Sequence, residues 1–170
     1  VLGLGITQIV SGVADIIHQW NKAKLYWPHL MWIAFVFFLH IQGGGFFMIC
    51  ERLAIEAPYF SFHYPDPINL FILARILFPS AGADSGDFKK FYFENFRKFF
   101  VWAVILIALS LSDNILFNGY SWIDQPVHIF LLIALPYFIF KNFQQEWLHK
   151  LTVILLAALL LASMLLVEWS

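Results

Sequence analysis

The chain has 170 residues, of which 61% are hydrophobic and only 12% are charged. A soluble domain of this length has too little interior to hide so much apolar surface, and the same composition excludes a disordered chain. Ten Lys and Arg residues face eleven Asp and Glu residues, which argues against a nucleic-acid-binding protein. The composition therefore predicts a protein that resides in a lipid bilayer.

Six apolar segments are candidates for membrane-spanning helices. A spanning helix needs about 20 apolar residues, at about 1.5 Å of rise each, to cross roughly 30 Å of hydrocarbon. In chain order the predicted spans are 1–17, 28–50, 66–78, 98–117, 126–140 and 148–169. The chain begins within the first apolar run, so we expect the first helix to start before Val1.

The third segment is short, about 13 residues or 20 Å, and either crosses the bilayer or re-enters it. Short loops rich in Lys and Arg mark the cytoplasmic side. Six crossings place eight of the ten basic residues on one side, whereas a re-entrant third segment splits them. The eight are Lys22, Lys24, Lys89, Lys90, Arg97, Lys98, Lys141 and Lys150. We therefore predict an all-α transmembrane bundle, a single domain over residues 1–170 with both ends external.

Residues 87–98 (DFKKFYFENFRK) mix aromatic side chains with cations. This pattern is typical of an amphipathic segment that lies in the headgroup layer, and equally of an aromatic belt whose cations reach towards water. Lys89, Lys90, Arg97 and Lys98 form a rim that we expect to bind anionic lipid headgroups or the acidic surface of a partner.

Two ionisable residues fall inside predicted spans. Thr7, Ser11 and Asp15 are spaced four residues apart and share one helix face, and Arg75 lies in the third segment at a similar depth. Because a lone charge in hydrocarbon is costly, we predict that Asp15 pairs with Arg75. The pair would act either as a buried ion pair that sets the helix register or as an ion or proton relay.

A second polar group is predicted near the external side. These side chains either converge on an outward-facing pocket or simply contact water at the membrane boundary. Its members are His40, Gln42, Asn69, Ser110, Asp113, Asn114 and His128.

Glycine and proline mark two further places in the spans. Gly43, Gly44 and Gly45 permit close helix contact or local unwinding of the second helix. Pro136 is expected to kink the fifth helix, as a gate or as an accommodation to packing.

Two juxtamembrane stretches, LYWPHLMW (Leu25 to Trp32) and FYFENFRKFF (Phe91 to Phe100), resemble those of small, uncharacterised polytopic proteins of bacterial membranes. The resemblance covers these stretches and the order of the helices. It implies a polytopic membrane fold in the cytoplasmic membrane of a bacterium, and it implies no activity.

The motifs that the chain lacks help to distinguish between the possible classes of function. It has no HExxH zinc motif and no GxSxG nucleophile elbow, its six histidines are scattered, and its single Cys50 excludes an internal thiol pair. We therefore expect no catalytic residue and no protein metal site, although His40 and His128 could act as axial ligands to a haem. The leading interpretation is a small ion or solute channel or transporter that works as an oligomer. The alternative is an accessory, scaffold or sensor subunit of a larger membrane complex.

Overall fold

The computed structural model describes residues 2–19, 21, 23–52, 65–79, 87–116, 119 and 121–168, without the side chains of 43–52, 65–66 and 163–168. This part of the chain is all-helical, with six α-helices and no β-strand, as predicted. The helices are α1 (Leu2–His18), α2 (Trp27–Arg52), α3 (Pro65–Ile76), α4 (Phe88–Leu116), α5 (Pro126–Lys141) and α6 (Glu146–Glu168), with a 3-10 turn at Trp122–Asp124.

The helices correspond in order to the six predicted segments, and the largest difference concerns α4. Residues 88–98 do not form a helix of their own; they are the first third of α4, which runs without a break for 29 residues. Asp87 caps this helix, since its Oδ1 accepts a hydrogen bond of 2.9 Å from the backbone N–H of Lys90. No Gly or Pro interrupts the stretch, so nothing local ends the helix between the aromatic run and the apolar run. The predicted loops 53–64 and 80–86 lie outside the described residues.

The third helix occupies the middle of one half of the bundle. It packs against α1, α2 and α4, while α4 packs along α5, and α6 contacts α2 and α5. Residues buried around α3 and α4 are largely aromatic or branched and form one continuous core. The short third segment is therefore a packed element of the fold.

One end of the bundle collects helix ends from distant parts of the sequence. The backbone N–H of Phe88, at the start of α4, donates to the carbonyl of Lys24, just before α2. The Nε2 atom of His29, at the start of α2, lies 2.9 Å from the carbonyl oxygen of Leu77, just after α3. Since α2 and α4 begin where α3 ends, these helices alternate in direction. We call this the basic end; its described cations are Lys24, Lys89, Lys90, Arg97, Lys98, Lys141 and Lys150.

Of the described helices, α4 alone is long and apolar enough to be a candidate membrane span. Leu2–His18, Pro67–Ile76, Pro126–Lys141 and the stretch Trp27–Gln42 of α2 are apolar but shorter. These statements do not extend to the last ten residues of α2 or to the end of α6, whose side chains are not among those described.

Two glycines let α1 approach its neighbours closely. Gly5 and Gly12 are buried on the face of α1 that turns inward, together with Ile9 and Ile16. A methyl group at Gly5 would overlap the imidazole ring of His40, and one at Gly12 would overlap the ring of Phe78. Both rings are themselves buried, so neither has free space into which it could move.

We predict that Gly5→Ala and Gly12→Ala each lower the free energy of unfolding by about 1–3 kcal/mol, because the added methyl group forces buried rings to shift. Gly3→Ala is the matched control, since a β-carbon there meets no atom within 4 Å. Thermal unfolding of the purified variants would measure the effect. Equal stability of the Gly3 and Gly5 variants would contradict the close contact.

Candidate functional site

The two aromatic stretches noted in the sequence pack against each other at the basic end. The ring of Tyr26 lies 5.2 Å from that of Tyr92 and 5.7 Å from that of Phe93, between centroids. The imidazole of His29 lies 5.9 Å from the rings of Phe88 and Tyr92. The start of α2 and the first third of α4 thus form one buried aromatic surface.

His149 of α6 enters this surface and is enclosed by aromatic rings. Its side chain is only 1% exposed. Phe96 and Phe138 approach it edge to face at 4.9 Å, and Phe93 approaches at 5.1 Å. Aromatic pairs prefer this edge-to-face arrangement because the positive ring edge meets the negative face. The enclosure holds the imidazole in a single orientation.

The hydrogen bonds of His149 determine which nitrogen carries the proton. Nε2 lies 2.9 Å from the carbonyl oxygen of Phe143, which can only accept, so Nε2–H is the donor. Nδ1 lies 2.9 Å from the hydroxyl of Tyr92. In the neutral ring Nδ1 is therefore the acceptor, and Tyr92 donates its O–H to it. The resulting chain runs from the Tyr92 hydroxyl through the His149 ring to the Phe143 carbonyl.

His29 and Tyr26 extend this group, which we call the tyrosine–histidine cluster (Tyr26, His29, Tyr92 and His149). The Nε2–H of His29 donates to the carbonyl of Leu77, which leaves Nδ1 as an acceptor. Nδ1 of His29 and the hydroxyl of Tyr26 are buried and have no hydrogen-bond partner among the described residues. Burial raises the pKa of Tyr26, which precedes α2, well above its ordinary range, and the charge of Glu146 adds to the shift. This hydroxyl stays protonated at neutral pH.

An ion network at the surface lies beside the cluster. Glu146, the first residue of α6, accepts hydrogen bonds from Lys150, at 2.6 Å, and from Lys89 of α4. The hydrogen bond from Lys150 and then that from Lys89 lower the pKa of Glu146 to about 2. The network fastens the start of α4 to the start of α6 directly above the Tyr92–His149 contact.

Chemically, the cluster holds the hydroxyl proton of Tyr92 in a defined hydrogen bond to Nδ1 of His149. It contains no activated nucleophile. Among the described residues there is also no group of three or more His, Cys, Asp or Glu side chains that could hold a metal ion.

The predicted pairing of Asp15 with Arg75 is not found. Both side chains are exposed, and among the described residues no ion pair joins them. The inward face of α1 is that of Gly5 and Gly12, so Thr7, Ser11 and Asp15 point away from the bundle. The ring of Phe78 packs at Gly12, with Asp15 one turn further along α1 and Arg75 one turn earlier on α3. The two charges are thus separated by about 9 Å along the helix axes.

The predicted external pocket is only partly assembled. Ser110 of α4 and His128 of α5 lie 3.2 Å apart between hydroxyl and Nε2. The amide of Asn114 donates to Gln125, which precedes α5, at 3.1 Å. Asp113 is buried on α4. These two hydrogen bonds lie towards the end of the bundle opposite the basic end.

The other predicted members of the pocket lie on different helices. His40 is fully buried with its ring packed on Gly5, and its Nδ1–H donates to the carbonyl of Val36 at 2.8 Å. Asn69 is buried on α3, whereas Gln42 is exposed. The structure brings neither into contact with Ser110 or His128 through a hydrogen bond between described residues.

The remaining predicted positions fall within helices. Helix α2 runs without a break through Gly43, Gly44 and Gly45, so local unwinding is not found. Pro136 lies inside α5, which continues to Lys141.

Two of the four predicted rim cations are paired with a carboxylate of the protein. Lys89 binds Glu146, and Lys90 lies 3.9 Å from Glu94 on its own helix. Arg97 and Lys98 are exposed, and Lys98 donates to the side chain of Asn95.

Sequence reasoning missed the tyrosine–histidine cluster. The available signal was that both aromatic stretches carry a tyrosine and lie on the same side of six alternating helices. Nothing in the sequence points to His149, which is 57 residues from its partner Tyr92.

Comparison of the chain with protein-family models, curated proteins and solved structures finds no match.

We predict that Tyr92→Phe lowers the free energy of unfolding by about 1–3 kcal/mol, because Nδ1 of His149 is left buried without a donor. Tyr137→Phe is the control, since Tyr137 is exposed. Chemical or thermal unfolding of both variants measures the difference. An unchanged Tyr92→Phe variant would show that the hydrogen bond is dispensable.

We also predict that Glu146→Gln destabilises the protein at pH 7 and loses this effect in acid. The pKa of Glu146 is lowered from an ordinary value of 4.5 to about 2, so its ionised form is stabilised by folding. This contribution is complete above about pH 4.5 and disappears as the pH falls towards 2. The unfolding temperatures of wild type and variant, compared across this interval, should converge.

Glu94→Gln should have a smaller effect, since the nearest cation to Glu94 is 3.9 Å away. A constant gap between wild type and Glu146→Gln at all pH values would contradict the assigned role of Glu146.

Proposed function

We propose that the chain is a polytopic membrane protein of six spans in a bacterial cytoplasmic membrane, and that it acts as an oligomeric channel or transporter for a small ion or solute. The first support is the distribution of apolar and polar side chains between the surface and the interior. The outer surface carries many large apolar side chains, while several polar side chains are fully buried. Ile133 is 69% exposed and Phe140 is 85% exposed, whereas His29, His40 and His149 are at most 1% exposed. This arrangement suits a hydrocarbon solvent.

Helix lengths and aromatic residues agree with this proposal. Helices α2, α4 and α6 have 26, 29 and 23 residues, enough to cross roughly 30 Å of hydrocarbon. Trp27 and Trp147 are exposed at the basic end, and Trp122 is exposed at the opposite end. Tryptophans at two opposite levels are typical of the two membrane interfaces.

The observation that carries the channel or transporter proposal is the outward stripe of Thr7, Ser11 and Asp15 on α1. A polar stripe with a carboxylate is costly against lipid tails, so it requires water or another protein surface beside it. In an oligomer, such stripes from several copies can surround a polar path, which a bundle of six helices is too thin to enclose. The carboxylate of Asp15 would then attract cations or exchange protons.

The accessory-subunit alternative is favoured by a different observation. The polar side chains of the cluster are bonded within the protein, as in the donation of Tyr92 to His149 and of His29 to Leu77. A rigid interior of this kind fits a subunit that holds its shape while a partner covers the stripe on α1.

The packing of His40 argues against haem. Its ring lies directly against Gly5 of α1, and its Nδ1–H is bonded to Val36. A porphyrin beside Nε2 would have to displace α1. We therefore do not extend the proposal to a haem-binding electron-transfer protein.

The test is ion flux in proteoliposomes together with oligomeric mass in nanodiscs. We expect an oligomer with measurable flux, and we expect Asp15→Asn to remove most of that flux while leaving the oligomer intact. Ser112→Ala is the control, since Ser112 is exposed on α4 and bonded to Ala108 of its own helix. A monomer without flux that co-purifies with a different membrane subunit would favour the accessory role.

A further inference from the structure

We propose that Arg97 and Lys141 form a binding site for the headgroup of an anionic phospholipid on the outer surface where α4 meets α5, with Lys98 at the same level on the adjoining lipid-facing side of α4. The proposal rests on the membrane location proposed above. It assigns to these three cations a ligand that carries a phosphate group and acyl chains.

The register of α4 against α5 brings the three cations to one level. Ser110 contacts His128, and ten residues nearer the basic end on both helices Phe100 contacts Phe138, with ring centroids 6.0 Å apart. Helices α4 and α5 are therefore antiparallel, and they keep the same residue register over these ten residues. One further turn along each helix places Lys141 opposite Arg97.

The outer face of α4 changes character at this level. Its exposed positions are polar up to Lys98 and apolar from Val101 to Ile105. The part of α4 that follows Lys98 has about 18 residues and a length of about 27 Å, close to the thickness of a bilayer's hydrocarbon core. Arg97 and Lys98 thus stand where lipid phosphates lie. On α5, exposed Tyr137 and Phe140 precede Lys141 and provide apolar contact for the acyl chains.

Ion pairing separates these cations from the others at the basic end. Lys24 lies 3.9 Å from Asp87, Lys90 lies 3.9 Å from Glu94, and Lys89 and Lys150 both bind Glu146. Among the described residues, Arg97, Lys98 and Lys141 have no carboxylate partner. Three exposed cations at the phosphate level without a protein anion are complementary to an anionic headgroup.

The test compares binding of phosphatidylglycerol and phosphatidylcholine to the purified full chain by native mass spectrometry during lipid titration. Each cation near an anionic headgroup contributes about 1 kcal/mol, equivalent to about fivefold in affinity. We expect Arg97→Gln/Lys98→Gln to weaken phosphatidylglycerol binding about 25-fold and Lys141→Gln to weaken it about fivefold. Lys90→Gln, which removes an exposed cation paired with Glu94, should change it less than about twofold.

Two further measurements keep the proposal falsifiable. Arg97→Lys retains the charge and should bind phosphatidylglycerol more tightly than Arg97→Gln, which separates a lost charge from a lost fold. Inorganic phosphate should not compete, because the proposed ligand also needs its acyl chains.

Several outcomes would overturn the proposal. Equal loss in Lys90→Gln and Arg97→Gln/Lys98→Gln would mean that the cations act only through net charge. Competition by inorganic phosphate would replace the lipid with a free anion. Unchanged lipid binding with loss of a co-purifying acidic protein would assign the site to that protein. Equal binding of both lipids would refute this site and leave the membrane location standing, whereas binding of neither lipid would refute both.

Discussion

The hydroxyl of Tyr92 donates to His149, and His149 donates to the carbonyl of Phe143, so one buried chain of hydrogen bonds ties α4 to α6 and to the turn before α6. Each polar group in this chain satisfies the next, and the surrounding rings exclude other partners. Removal of one member would leave a buried polar atom unpaired, which costs more than a typical hydrogen bond contributes. The aromatic packing of the basic end depends on this chain, because it orients the His149 ring, which the rings of Tyr92, Phe93, Phe96, Phe100 and Phe138 surround.

Hydrogen bonds between helix ends also explain the arrangement of the other helices around the basic end. His29 reaches the carbonyl of Leu77 only if α2 begins where α3 ends, and the Lys24–Phe88 backbone contact requires α4 to begin at the same end. The short α3 is thereby held among three longer helices. Close contacts at Gly5 and Gly12 then seat α1 on the surface of this group.

Most of the helical segments could be predicted, because apolar runs and the Asp and Pro residues that begin helices are local features. The start of α4 was missed because its first third is amphipathic and differs in composition from the apolar span, although no Gly or Pro separates the two. The local sequence also does not show whether a polar helix face points into the bundle or outward. Thr7, Ser11 and Asp15 share a face as expected, but the inward face of α1 was decided by the glycines that meet His40 and Phe78. The meeting of Ser110 with His128 required only a short antiparallel hairpin, which explains why part of the predicted pocket assembled.

By itself the sequence determined the all-helical architecture, the order of six segments and the collection of cations at one end. These properties follow from composition and from periodicity over a few turns, which need no knowledge of distant contacts. Only the tertiary structure decided which cations are bonded to carboxylates, which histidine is enclosed by aromatic rings, and which faces of α1 and α3 turn outward. The physical reason is that burial and hydrogen bonding of a polar atom depend on partners from other helices, and Tyr92 and His149 meet across 57 residues of chain.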